Sequence, residues 1–221
     1  MSAEMREFAD LTANEHQKLL IGRLQKAITS CQTNVTRSNN IIFSTDDPEI
    51  FCGYFLETFK KHGQNIVDCA ARIYWTPFTD ADEAISQSAP YETIPLKEWE
   101  MSAIFVGFDK ICKSWPSGGL SFSNEDELDH VFEEIASVVS GDGIDFFDKY
   151  ASVQGLFDFI TDHGPSSPGT WRITLEFLLR DRLFGISSAC RHLKGIQPPD
   201  LTGYEFHQRN WLLRNKCQII S

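Results

Sequence analysis

The hydrophobic pattern of this chain changes at Ser123, and this change limits the fold more than any other feature. Before it, "NIVDCAARIYWTPF" and "WEMSAIFVGFDKI" carry apolar side chains on both faces, which is typical of strands covered on both sides. After it, apolar residues recur every three or four positions, as on the buried side of a helix. The sequence therefore predicts an α+β fold with a small, mostly antiparallel sheet in the first half, packed by helices, and an all-helical C-terminal half.

The length of 221 residues fits a single domain over residues 1–221. The pattern change divides this domain into a sheet-containing half, residues 1–122, and a helical half, residues 123–221. No internal repeat or low-complexity tract suggests another organisation.

The first half begins with an amphipathic pattern over residues 4–30, broken near Thr12 to Asn14, and continues with a short strand in "NNIIFST". "TDDPEIFCGYFLETFKKHG" favours a helix, because Asp46 or Asp47 can cap it, Pro48 fits its first turn and Gly63 follows its end. Its aromatic content leaves a strand as the alternative. Residues 76–98, with three prolines, predict a surface loop, and "GLSFS" predicts a further strand.

In the second half, "SNEDELDHVFEEIASVVSGDG" is the clearest helix. Shorter helices are expected around 145–150 and 152–162, then one helix in "TWRITLEFLLRDRLFGISSACRHLKG" and a last one in "GYEFHQRNWLLRNK". The stretch "SGDGIDFFDKY" does not fit a calcium loop, because Ile144 and Phe146 occupy positions that need oxygen ligands. We interpret it as the junction between two helices, with Phe146 and Phe147 anchored in the core.

The six cysteines form no Cys-x-x-Cys pair, so no zinc site is predicted and buried, reduced thiols are expected. The N-terminal residues carry acids where a secretory signal would carry a basic patch, which favours the cytoplasm. No apolar run is long enough for a membrane span. No glycine-rich phosphate loop or serine elbow is present, and neither a cofactor nor a metal is expected.

The net charge of −11 is unevenly distributed. Residues 1–170 hold 12 Lys and Arg against 27 Asp and Glu, a balance of −15, whereas residues 171–221 have a balance of +4. Such an acidic body suits a basic protein partner, although it also keeps a protein in solution. The leading hypothesis is a cytoplasmic interaction protein, an immunity or antitoxin-like inhibitor of a basic partner. The expected contacts are seven exposed acids: Asp80, Asp82, Glu83, Glu125, Asp126, Glu127 and Asp129.

Two other functions stay open. A hydrolase-like enzyme would need a site assembled from distant acidic and histidine residues, and the candidates are Asp142, Asp145, His130 and His163. Nucleic-acid binding would use the C-terminal helices, with Arg209, Arg214 and Lys216 as phosphate contacts and Trp211 as a stacking platform. The negative net charge opposes nucleic acid, and the favoured interpretation places Trp211 in the buried stripe of a terminal helix. The sequence does not indicate an oligomeric state.

The order of elements, a helix, strands with the "IYW" and "EWEMSAIF" runs, then an acidic helix leading to "GIDFFDKY" and a helical end, resembles small bacterial proteins grouped as a domain of unknown function. The most specific piece is "DGIDFFDKYASVQGLFDFI", which is similar to the family's Gly, aromatic pair and polar residue before the next helix. The resemblance implies a bacterial, cytoplasmic, non-enzymatic protein. It implies no catalytic residue, since such families have none assigned.

Overall fold

The computed structural model of the protein describes residues 8, 11–28, 33–37, 40–89, 102–163, 172–197, 201 and 203–218. The strands are β1 (Thr33–Arg37), β2 (Asn40–Ser44), β3 (Ile50–Lys61), β4 (Gln64–Trp75), β5 (Ile104–Gly107) and β6 (Leu120–Phe122). The helices are α1 (Ala13–Ile28), α2 (Thr76–Gln87), α3 (Phe108–Ile111), α4 (Glu125–Ser140), α5 (Asp142–Tyr150), α6 (Val153–His163), α7 (Arg172–Phe184), α8 (Ile186–Gly195) and α9 (Gly203–Asn215).

The strands form one antiparallel sheet in the order β1-β2-β3-β4-β5, and β6 also pairs with β4. In the β1–β2 pair Thr36 lies opposite Ile41, and the register shifts between Thr33 and Val35. In the β4–β6 pair Ile66 lies opposite Ser121. Helices follow in the C-terminal half, so the predicted α+β class is confirmed.

The chain divides into two compact units with interleaved boundaries. Unit 1 comprises Met1–Thr45, Cys52–Arg72 and Val106–Asp148. Unit 2 comprises Asp46–Phe51, Ile73–Phe105 and Lys149–Ser221. These boundaries do not follow the predicted subdivision at residue 122, because segments from both halves of the sequence contribute to each unit. The single domain remains a prediction.

The segment favoured as a helix from Asp46 to Gly63 is instead the strand β3, so that expectation was wrong. His62 and Gly63 have φ angles of 52° and 85°, and two successive residues with positive φ make the tight turn that joins hairpin strands. Gly63 therefore serves a hairpin turn and not a helix end. Cys52–Leu56 is buried at every position, which requires cover on both faces of the strand.

In unit 1, α1 begins where the sequence pattern was broken, just after Thr12. Thr12 Oγ1 accepts a hydrogen bond from the Glu15 N–H at 3.3 Å, and the Glu15 carboxylate accepts from the Thr12 N–H at 2.8 Å. This reciprocal capping satisfies two backbone donors at the helix start. One turn further, the Gln17 side chain, itself buried, donates to the Leu56 carbonyl at 2.9 Å and so fixes α1 against β3. Of the predicted 4–30 helix, residues 4–7, 9, 10, 29 and 30 lie outside the described ranges.

The junction between α4 and α5 has the features predicted for "SGDGIDFFDKY". α4 ends at Ser140, α5 begins at Asp142, and Phe146 and Phe147 are both buried. A side chain at Gly143 would place its Cβ 2.5 Å from the Tyr54 hydroxyl, so only glycine fits there without displacing the tyrosine. The close approach of the Tyr54 side chain from β3 therefore constrains position 143 to glycine.

In unit 2, the predicted surface loop over residues 76–98 begins with the helix α2, so this part of the expectation was wrong. Pro77 lies in the first helical turn, where a missing N–H costs no hydrogen bond. The inward face of α2 carries Phe78, Asp82 and Ile85, all fully buried. Residues 90–98 lie outside the described ranges.

The helix expected as one element in "TWRITLEFLLRDRLFGISSACRHLKG" is divided into α7 and α8 at Gly185, which has a φ angle of 82°. Cys190 on α8 forms a disulfide with Cys217, which follows α9, so the expectation of reduced thiols was wrong for this pair. Both cysteines lie in the hydrophobic core of unit 2. Cys52, Cys69 and Cys112 are free and buried, as predicted, whereas Cys31 lies outside the described residues. Within the described ranges, no helix has the length and apolar composition needed to cross a membrane.

Candidate functional site

The first turn of α4 holds three of the predicted acids, and one of them is used by the helix itself. Asn124 caps α4, and its side chain accepts from the Glu127 N–H at 2.9 Å. The Glu127 carboxylate in turn accepts from the Ser123 N–H at 2.6 Å and from the Asn124 side-chain amide at 2.9 Å. Glu127 is therefore exposed, but its carboxylate already accepts hydrogen bonds at the helix start and is less available to bind a partner.

Four of the five remaining acids of α4 share one side of the helix, whereas Glu134 is only partly exposed and lies 4.0 Å from the His130 ring. These four follow helical spacing opposite the buried stripe, and all four are exposed. We call this set the acidic face of α4: Glu125, Asp126, Asp129 and Glu133. Glu133 is absent from the predicted contacts, although its spacing of seven residues from Asp126 places both on the same side of the helix.

Asp129 forms an ion pair with Arg23 of α1 across the surface of unit 1. The pair is largely solvent-exposed, so it contributes little to stability and is screened by salt. Among the residues that the structure describes, Glu125, Asp126 and Glu133 have no hydrogen bond or ion pair from their side chains. Burial does not shield these three carboxylates, and no described cation neutralises them.

The predicted acids of α2 have two different environments. Asp80 and Glu83 are exposed, and Glu83 accepts a hydrogen bond from Gln87 at 3.1 Å. Asp82 is fully buried, so its expected exposure was wrong. Burial raises the pKa of Asp82 to about 6, against hydrogen bonds from Gln208 and Tyr204 that act to lower it. Asp82 is a structural residue of unit 2 and cannot meet a partner at the surface.

The four residues proposed for an enzyme do not occupy enclosed positions. Asp142, Asp145 and His130 are exposed on unit 1, and the His130 ring is 4.0 Å from Glu134. His163 lies on α6 in unit 2, where its ring stacks on Phe159 with centroids 4.4 Å apart. In the part of the chain that the structure describes, no three His, Cys, Asp or Glu side chains are placed so that they could hold a metal ion.

Two of the candidates for nucleic-acid contact, Trp211 and Arg209, make contacts within unit 2. Trp211 packs against the hydrophobic core of unit 2, which agrees with its interpretation as part of a buried stripe. Arg209 donates to the Leu193 carbonyl at 3.2 Å and so satisfies the C-terminal end of α8. Arg214 and Lys216 are exposed. Core packing therefore covers part of the Trp211 ring that a single strand would need as a stacking platform.

Comparison with known protein families, curated proteins and solved structures finds no match to this chain. The resemblance to the bacterial domain of unknown function consequently stays a prediction. Any function has to be inferred from the geometry of the two units.

Proposed function

We propose that this protein binds a basic protein partner through the acidic face of α4. The observation that supports this proposal is that Glu125, Asp126 and Glu133 lie together on one exposed helix face without a described partner. Uncompensated charges of one sign on a rigid element produce a field that speeds encounter with the opposite charge and fixes its orientation. A helix anchored by Leu128, Val131 and Ile135 in the core presents these charges in a fixed geometry.

The function we infer is that of an immunity or antitoxin-like inhibitor, acting in the bacterial cytoplasm. Such an inhibitor needs no catalytic group of its own, because it blocks the partner by covering the partner's active surface. The balance of −15 over residues 1–170 favours a partner with a basic surface, as a nucleic-acid-cleaving toxin would have. Asp80 and Glu83 on α2 offer further exposed charge on unit 2.

The competing interpretation is that the acidity serves only to keep the protein in solution. The two interpretations differ in whether position matters. For solubility, two exposed acids anywhere on the surface are equivalent. For docking, reversal of charge on the acidic face of α4 must have a larger effect than the same reversal elsewhere.

The test is affinity capture from cells of the native source with the tagged chain and two variants of equal net charge. Glu125→Lys with Asp126→Lys reverses the acidic face. Glu57→Lys with Asp162→Lys makes the same change at exposed acids of β3 and α6. We expect a basic protein to be retained by the unaltered chain and by the control variant, and to be lost with the acidic-face variant. Equal retention by both variants would contradict the proposal.

A further inference from the structure

A groove of about 420 Å³ follows α8 in unit 2. The residues that line it recur at the spacing of one helix face over two turns, and they are Ser188, Arg191, His192, Gly195 and Ile196. The opposite side of α8, with Ala189 and Leu193, is buried in the hydrophobic core. The groove is therefore bounded by a helix whose position is fixed by packing.

His192 is held at the groove by a chain of charged contacts from α7. Its Nε2 lies 3.0 Å from Glu176 Oε1, and the Glu176 side chain is only 15% exposed. Because a carboxylate can only accept, the Nε2 atom must carry the hydrogen, which leaves Nδ1 as the other polar atom of the ring. Arg180 donates to the same Glu176 oxygen from Nε at 3.1 Å and from Nη2 at 2.9 Å. Arg180 thus neutralises the carboxylate that orients His192.

Arg191 places a positive charge at the groove that no described residue pairs with. Its side chain is exposed and makes no hydrogen bond or ion pair with any residue in the described ranges. A guanidinium offers five N–H donors in a planar fork that fits phosphate oxygens. Ser188, one turn earlier on the same face, adds a hydroxyl donor. The surrounding residues 171–221 have a balance of +4 within a chain of net charge −11, so an anion is attracted to this part of the protein.

We propose that the α8 groove binds a phosphate monoester. Arg191 and Ser188 donate to the phosphoryl oxygens, and His192 adds a donor from Nδ1 when its ring is protonated. The Arg191 guanidinium alone carries five N–H donors, so together with the Ser188 hydroxyl it can serve the three terminal oxygens of a phosphoryl group, whereas a carboxylate has two. The volume falls within the roughly 300–1,000 Å³ typical of small-molecule pockets, so it accommodates an organic group as well as the phosphate. Ile196 provides an apolar contact for that group.

The test is calorimetric titration of the full chain with phenyl phosphate at constant ionic strength. We expect saturable binding, weakened about tenfold or more in Arg191→Ala, as for loss of a charge-assisted hydrogen bond. Lys194→Ala removes the same charge from an exposed residue of α8 that does not line the groove, and should change the affinity less than about twofold. No saturable binding, or equal losses in the two variants, would overturn the proposal.

A second variant tests the groove without changing any charge. A Cβ on Gly195 would meet no heavy atom within 4 Å, so Gly195→Leu can fold and place its side chain in the groove. We expect it to abolish phenyl phosphate binding while the circular dichroism spectrum is unchanged. Retained binding in Gly195→Leu would place the ligand elsewhere. Binding of benzoate as tight as that of phenyl phosphate would overturn the assignment to a phosphoryl group.

Discussion

The side-chain amide of Gln208 donates a hydrogen bond of 3.1 Å to the carboxylate of Asp82, and both side chains are fully buried. This contact joins α9 to α2 inside unit 2. A second polar contact supports it nearby, where the hydroxyls of Ser86 and Tyr204 lie 2.7 Å apart. A buried carboxylate with neutral partners makes the stability of unit 2 depend on pH, because burial penalises the charged form.

We predict that the protein loses stability as the pH rises through about 6. The pKa of Asp82 is raised from 3.8 to about 6 on folding, so the folded chain retains a proton that the unfolded chain releases. The full stabilising contribution is present below pH 4 and is lost above pH 6. Its size is on the order of 3 kcal/mol in the free energy of unfolding. Urea unfolding at pH values between 4 and 8 measures this.

Asp82→Asn keeps an oxygen that can accept from Gln208 but removes the ionisable group. We expect this variant to be more stable than the unaltered chain at pH 8 and to lose most of the pH dependence in this range. Asp80→Asn, which removes an exposed charge two residues before Asp82 on α2, should leave the pH dependence intact. A pH profile that is the same in all three proteins would show that Asp82 is not the responsible group.

Phe147 provides a test of the α4–α5 junction. It is 6% exposed and packs at 5.3 Å from Phe43 and 5.2 Å from Tyr54, measured between ring centroids. We expect Phe147→Ala to lower the free energy of unfolding by about 3–5 kcal/mol through loss of buried area and an unfilled cavity. Ile144→Ala, on the exposed side of α5 at 43%, should cost less than about 1 kcal/mol. Similar losses in urea unfolding of the two variants would contradict this packing.

The Cys190–Cys217 disulfide closes a loop with a sequence separation of 27 residues. Cross-linking a loop of this length restricts the unfolded chain, and we predict that dithiothreitol lowers the stability by about 3 kcal/mol. Cys190→Ala with Cys217→Ala should show no response to the reductant. Mass spectrometry of the unreduced protein should detect a peptide linking the two cysteines. Its absence in protein purified without reductant would contradict the disulfide. Disulfides are uncommon in a reducing cytoplasm, so detection of this one would count against the proposed cytoplasmic location.

Sequence reasoning succeeded where one local pattern decided the element. The sequence of α4 offers a Ser or Asn cap, apolar spacing through Leu128 and Ile135, and glycines after the helix, and these signals agree with one another. In the structure Asn124 is the cap and Gly141 follows the helix end. It failed at β3, where the residues that suggested a helix have other uses. Asp47 accepts from the Glu49 N–H at 2.9 Å in a turn before the strand, and Gly63 completes a hairpin.

The candidate site was harder to predict because burial and pairing depend on residues distant in sequence. No local sequence signal distinguishes Asp80 from Asp82, but only Asp82 faces the core. Its hydrogen-bond partner there is Gln208, which is 126 residues away in the sequence. The same holds for Asp129, whose partner Arg23 is 106 residues away. The disulfide likewise depends on Cα atoms brought to 5.7 Å by the packing of unit 2. Spacing predicts the face of a helix but not what covers that face.

The role of the acidic face of α4 is tested most directly by the salt dependence of affinity for the captured basic partner. We predict that the dissociation constant measured by calorimetry rises about tenfold or more between 50 and 300 mM salt, since exposed charges are screened over this range. In Glu125→Lys with Asp126→Lys, binding at 50 mM salt should already be weakened at least as much. A dissociation constant that changes neither with salt nor with this charge reversal would contradict docking through the acidic face of α4.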